Sequence, residues 1–329
     1  MTVPNRTTSS ASSSTTSPSA APASVRPAQR HDLLRGPVPV LVTALIWGTT
    51  GTVASFAPAG ATPVGVGAAG LVLGGLLLLL TSRAARTLVF RCTGAERRLL
   101  GLGAVAVAGY PLSFYPALAS SGVAVATVVA LGSAPVFTGL LAWLTGGARP
   151  TARWGTATAA AVLGCAVLVL GPDLASGAAP VHLLGVGLAA VSGLSYAGYS
   201  LVGGRLITHG HASDGVLGTM FGGAALLVLP VLVVQGAGWL ATPRGAAVVL
   251  HLAVVTTFLA YRVFGYALRR TSAQVATTLT LAEPAVAAVL GVVVLGERLP
   301  LVSWCGLAVL ALALAFLVVQ APAARRRGH

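Results

Sequence analysis

Residues 273–295 read AQVATTLTLAEPAVAAVLGVVVL, and the one charged side chain among them is Glu283. A stretch of this length and apolarity crosses a bilayer as a single helix, which needs roughly 20 residues. Val286 to Leu295 is apolar on every face, which excludes the alternating pattern of a transmembrane strand. Placing an ionised carboxylate at the centre of a bilayer costs roughly 2.5–3.5 kcal/mol on insertion scales, so such a residue faces a bundle interior or a water-filled cavity. Glu283 is therefore the first candidate for function, and the chain around it should be a helical bundle.

The rest of the chain has the same character. Hydrophobic residues fill 56% of 329 positions and charged ones 8%, a ratio that makes this an integral membrane protein. Apolar stretches predict ten spans, at 38–57, 63–81, 98–118, 122–144, 152–170, 181–202, 214–234, 245–268, 272–295 and 301–320. All 20 basic residues are arginines. Seventeen fall on one side if both termini share it: four before span one, five between spans two and three, two after span four, one after span six, two after span eight and three at the end. Arg244 and Arg298 fall on the other side and Arg262 inside span eight. The positive-inside rule then places both termini in the cytoplasm and orients the chain in the plasma membrane. The net charge of +14 is accounted for by orientation and anionic lipid, without a nucleic-acid partner.

Residues 1–37, rich in Ser, Thr, Ala and Pro, are expected to be a disordered tail, and 321–329 a basic one. Span one serves as the targeting signal. Cys92, Cys165 and Cys305 are scattered and give neither a disulfide framework nor a metal spacing, and no cofactor is expected.

The two halves repeat. At an offset of 150, Ala117-Leu118 recurs as Ala267-Leu268, Val125-Ala126-Thr127 as Val275-Ala276-Thr277, Pro150 as Pro300 and Trp154 as Trp304. Five spans is an odd number, so the second copy, 181–320, enters the membrane in the opposite sense from the first, 38–170. Inverted repeats of this kind are a common plan of secondary transporters, with a substrate site near the midplane between the halves.

Ala282-Glu283-Pro284 and Leu295-Gly296-Glu297-Arg298-Leu299-Pro300, followed by Trp304 and Gly306, resemble the closing motif of the EamA family in the drug/metabolite transporter superfamily. Ile46-Trp47-Gly48 and Tyr196-Ala197-Gly198-Tyr199 are similar to that family's openings of its first and second repeats. The resemblance implies a ten-helix carrier of two inverted five-helix repeats that exports amino acids, other metabolites or drugs through a central cavity. The first repeat departs from the pattern, since Ala134-Pro135 lacks the acid and Gly146-Gly147-Ala148-Arg149 is a degraded Gly-Glu-Arg.

Several residues are candidates for substrate binding or coupling. Glu283, near mid-depth, fits three roles: proton coupling, binding a cationic substrate, or pairing with Arg262 on the preceding span; the fourth reading is structural, a hydrogen bond beside Pro284. Arg262 either points inward to Glu283 or snorkels to the headgroups. Trp47, Tyr110, Tyr115, Tyr196, Tyr199, Tyr261 and Tyr266 each have a polar atom within an apolar helix, satisfied either by a polar cavity or by ordinary interhelical bonds. Trp239 is expected in an interface belt, and His251 is either a gate or an interface histidine. A membrane-embedded enzyme or scaffold is the alternative class, but no H-E-x-x-H, paired acids or phosphate-binding loop supports it. The expected partners are a small-molecule substrate and the lipid bilayer; oligomeric state is left open.

Overall fold

The computed structural model describes residues 36–147, 149–176 and 182–320. Nearly all of the expected tails therefore lies outside the described residues.

Nine helical runs among the described residues are long and apolar enough to cross a membrane. One of them, Gly94–Leu144, has 51 residues and holds two spans, broken at Gly122. There φ is +79° and ψ 160°, a conformation open to glycine at little steric cost, so the chain reverses without a loop. Spans three and four are the two legs of this run. The others are span one Pro37–Ala54, two Pro63–Thr81, five Ala152–Ser176, six Leu183–Thr208, seven Ser213–Gln235, eight Pro243–Leu268, nine Ala273–Leu295 and ten Leu301–Gln320. Ten helices in two repeats of five make the molecule an all-α membrane bundle. Helices satisfy every backbone group within the segment, which lipid demands.

Helix ends follow local chemistry. Thr62, Thr242 and Ser272 cap their helices by accepting from the amides of Gly65, Gly245 and Val275. Gly296 ends span nine in the left-handed conformation, φ +72°, which turns the Glu297 N–H back onto the Gly291 carbonyl at 3.0 Å. The Gly-Glu-Arg sequence thus acts here as a helix stop.

Span packing repeats when the halves are exchanged. Span one lies against spans eight and nine, as span six lies against three and four; two pairs with seven, and five with ten. Apolar helices gain nothing from burial against each other in lipid, so close backbone approach through small residues holds them together. A Cβ on Gly164 would sit 2.5 Å from the Leu310 backbone nitrogen, and one on Gly306 would meet the Leu168 backbone. Gly75 likewise admits the Phe221 carbonyl of span seven.

Five details add to or depart from expectation. Residues 82–97 are not simply a loop: Arg83–Arg91 is a short amphipathic helix, and Thr93 and Glu96 form a capping box that starts span three. His211, between spans six and seven, bonds the Glu96 carboxylate at 2.8 Å. Span eight is π-helical over His251–Leu259, between α-helical ends. Span nine is jointed: Ala273–Leu279 and Ala282–Leu295 meet at Thr280 and Leu281. Trp239 is buried in a 3-10 turn, its indole nitrogen close to Gly65 of span two, rather than standing in a belt.

Candidate functional site

Trp47 and Gly48, mid-way along span one, make two contacts that fix the centre of the molecule. The Trp47 Nε1 donates to the Thr256 carbonyl at 2.9 Å, inside the π-helical stretch of span eight. Such stretches loosen the regular ladder and are frequent at functional sites. Gly48 faces span nine, where a Cβ would lie 2.6 Å from Val286 and 3.1 Å from the Glu283 carbonyl oxygen. In the second repeat the matching pair is Ser192-Gly193. Ser192 Oγ donates to the Tyr110 carbonyl of span three at 3.3 Å, and Gly193 admits Ser133 and the Ala130 carbonyl of span four. Gly198, which the sequence motif suggests for that role, is in a looser place, where an added Cβ would meet only Ala106 of span three at an ordinary 3.6 Å.

Around Trp47 the structure gathers an aromatic wall. Its indole lies 5.0 Å from the Tyr261 ring, 5.5 Å from Phe264 and 6.1 Å from Tyr196. Tyr196 extends the wall to Tyr199 at 5.2 Å and Tyr110 at 6.2 Å, and Tyr110 stacks on Phe114 at 5.5 Å. Tyr199 and Tyr261 share a hydrogen bond of 2.9 Å between their hydroxyls. Tyr196 donates to Thr280 Oγ1 at 2.8 Å, since that hydroxyl spends its own proton on the Thr277 carbonyl.

Thr280 is also the joint of span nine. Pro284 has no N–H to return to the Thr280 carbonyl four residues back, and the Glu283 N–H takes that acceptor at 2.9 Å. The tightened turn places Glu283 in the first turn of a half-helix that begins within the membrane, where an acid suits the helix dipole. Its carboxylate makes no hydrogen bond or ion pair with any described residue. It is partly accessible, while Pro284 beside it is buried, and it lies within electrostatic reach of Tyr110, Tyr196, Tyr261 and Cys165. The Tyr110 hydroxyl also lacks a partner among the described residues. The site thus offers one open carboxylate and one open hydroxyl inside an aromatic wall.

Trp47, Tyr110, Tyr196, Tyr199, Tyr261 and Glu283 come together. Tyr115 touches the edge of the group through Phe114, its ring in the space that Gly67 leaves on span two. Two candidates lie elsewhere. Arg262 does not reach Glu283: its Nη2 donates to Thr81 Oγ1 at 3.0 Å, at the end of span two. Tyr266 is 39% exposed, under the Arg270 guanidinium. Residues 261, 262 and 266 do not share one face of a helix, so Tyr261 pointing inward sends the other two outward. His251 bonds Thr49 Oγ1 at 2.9 Å, tying span eight to span one above Trp47. Sequence reasoning passed over Thr256, Thr280, Ser192, Phe264 and Phe221, whose ring lies 4.0 Å from that of Tyr261. The run of threonines before Glu283 was the one visible signal for Thr280, and the phenylalanines carry no polar mark to single them out.

An inverted-repeat helical bundle with a polar centre at its midplane defines a membrane transporter. The EamA-like transporter family matches residues 34–170 and again 183–319, and the chain belongs to that family. Among its relatives, the uncharacterized transporter YwfM of Bacillus subtilis (strain 168) is 37% identical over 282 residues, 86% of this chain and 92% of YwfM. The threonine/homoserine exporter RhtA of Salmonella typhimurium (strain SL1344) is 38% identical over 145 residues, 42% of this chain and 45% of RhtA. A solved crystal structure covers 89% of this chain and 98% of its own with a TM-score of 0.69 at 20% identity, a likeness of fold.

Proposed function

We propose that this chain is a secondary carrier of the plasma membrane that exports small amine-bearing solutes, amino acids among them, by rocking one repeat against the other. The observation that carries it is the pair of unpartnered groups, the Glu283 carboxylate and the Tyr110 hydroxyl, within the wall formed by Trp47, Tyr196 and Tyr261. A carboxylate binds an ammonium group, and aromatic faces add cation–π attraction. Among the described residues no arginine pairs with that carboxylate, so the charge is left for a substrate or a proton. With no phosphate-binding loop in the sequence, the driving force is a gradient of solute or of protons. The similarity to the threonine/homoserine exporter RhtA over 145 residues supports amino acids as the first substrates to try.

The test is flux from proteoliposomes loaded with amino acids or organic amines, with and without an imposed proton gradient. Amine-bearing solutes leave in the wild type, and Glu283→Gln abolishes their exit at unchanged expression. Exit of neutral or anionic analogues at equal rates sinks the proposed substrate class.

A further inference from the structure

Between spans two and three, both ends of the helix Arg83–Arg91 are held where span seven begins. Ser82, its N-cap, donates to the Asp214 carboxylate at 2.8 Å, and Glu96, just beyond its other end, accepts from His211 at 2.8 Å. Two ends at one depth lay the helix along the membrane surface. Ala85, Leu88 and Cys92 point to one side of it, and all three are buried. The support on that side is the flank of span seven, not its tip. Added Cβ atoms on Gly215 and Gly218 would lie 3.0 and 2.7 Å from those of Ala84 and Ala85, and Thr219 shares its hydroxyl proton between the Gly215 and Ala85 carbonyls at 2.8 and 2.9 Å.

At 3.6 residues per turn Arg83, Arg86 and Phe90 share the opposite side, which looks away from the bundle. All three are exposed, Phe90 by 84%. Arg91 at the edge and Arg97 and Arg98 at the start of span three are exposed as well. Nothing described on the protein answers this charge. Glu96 is taken up by His211 and Thr93, Asp214 by Ser82, and the one ion pair among the described residues is that of Glu96 with His211. The positive-inside rule assigns this end to the leaflet that carries anionic lipid.

We propose that Arg83–Arg91 is a docking helix for the anionic lipid of that leaflet, with Arg83 and Arg86 on lipid phosphates and Phe90 in the boundary between headgroups and acyl chains. A helix in the membrane plane with arginines and a phenylalanine on its free face has the make-up of an interfacial anchor. Only a lipid offers phosphate and hydrocarbon together; a free phosphate would use the arginines and leave Phe90 in water. A second copy fits less well, since a two-fold contact through this face would set Arg83 and Arg86 against their own kind.

Two measurements on the full chain test this. The first is native mass spectrometry in detergent, titrated with phosphatidylglycerol or phosphatidylcholine. Wild type is expected to retain phosphatidylglycerol in preference. Arg83→Gln should weaken that retention roughly fivefold, and Arg83→Gln with Arg86→Gln roughly twenty-five-fold, the factor expected of each arginine near an anionic surface. Arg205→Gln takes the same charge from an exposed position at the same end and should leave retention nearly unchanged. The second is a spin label at position 90, as Phe90→Cys with the exposed Cys305 replaced by serine, in nanodiscs containing phosphatidylglycerol; Cys92 and Cys165 are buried. Dissolved oxygen should relax this label more than a water-soluble nickel chelate does, and the reverse should hold for a label at the exposed position 209. Equal retention of the two lipids, retention unchanged in the double variant, or an equal loss in Arg205→Gln overturns the proposal. So does a label at position 90 as open to the chelate as one at 209. Displacement of the lipid by millimolar inorganic phosphate overturns it too, by making the arginines a free-anion site, as does a dimer that forms through this face and excludes lipid.

Discussion

The indole of Trp47 in span one and the backbone carbonyl of Thr256 in span eight are joined by a hydrogen bond of 2.9 Å that crosses from one repeat to the other. It anchors the first repeat on the π-helical stretch of the second, and Trp47 thereby carries both the aromatic wall and the register between the halves. Trp47→Phe keeps the ring and loses the donor, which should cost about 1–3 kcal/mol for a buried acceptor left unpaired. Trp47→Ala removes the ring too and should cost about 3–5 kcal/mol. Thermal melts of purified protein in detergent measure both, and equal damage from the two variants would discount the hydrogen bond.

Gly48 and Gly51 lie one turn apart on span one and predict opposite results. A Cβ on Gly48 meets Val286 at 2.6 Å, whereas one on Gly51 meets nothing within 4 Å. Gly48→Leu should destabilise by about 1–3 kcal/mol or more, because the backbone of span nine must shift. Gly51→Ala should be neutral or stabilising by roughly 0.5–1 kcal/mol, since alanine loses less conformational freedom in a helix than glycine. Gly48→Leu melting like wild type would mean that spans one and nine are not in contact.

Arg262 and Glu283 are predicted to act independently. Arg262 bonds Thr81 and forms no ion pair with Glu283, so the stability changes of Arg262→Leu and Glu283→Gln should add within about 0.3–0.5 kcal/mol in the double variant. Recovery of stability in the double variant, relative to Arg262→Leu alone, would mean that the two charges pair.

Glu96 gives a prediction about acid. It lies in the capping turn, two residues before the apolar stretch of span three, and its hydrogen bonds from His211 and then from Thr93 lower its pKa from 4.5 to about 2. A carboxyl lowered on folding contributes stability above its unfolded value of 4.5, and that contribution is lost as pH falls through about 2. Melting temperatures of wild type and Glu96→Gln should therefore differ at pH 6 and converge toward pH 2. A gap that stays constant across this range would show that Glu96 does not act through its charge.

The bilayer makes much of this protein readable as sequence. A hydrocarbon solvent permits only helices or closed barrels, so apolar runs of about 20 residues reveal the class directly. The offset between Val125-Ala126-Thr127 and Val275-Ala276-Thr277 carries the repeat, and its odd span count the inversion. Glu283 announces itself by the cost of a charge in lipid. Tertiary structure decided what pattern alone leaves open, because side-chain direction depends on helix rotation and on joints. Arg262 and Tyr261 are adjacent in sequence, yet one turns to Thr81 and the other to Trp47. The match of Trp47-Gly48 to Ser192-Gly193 appears only when their contacts on spans eight and nine, and on three and four, are seen together. The joint at Thr280 likewise arises where Pro284 removes a donor and Glu283 supplies one, and Tyr196, 84 positions away, closes on it from span six.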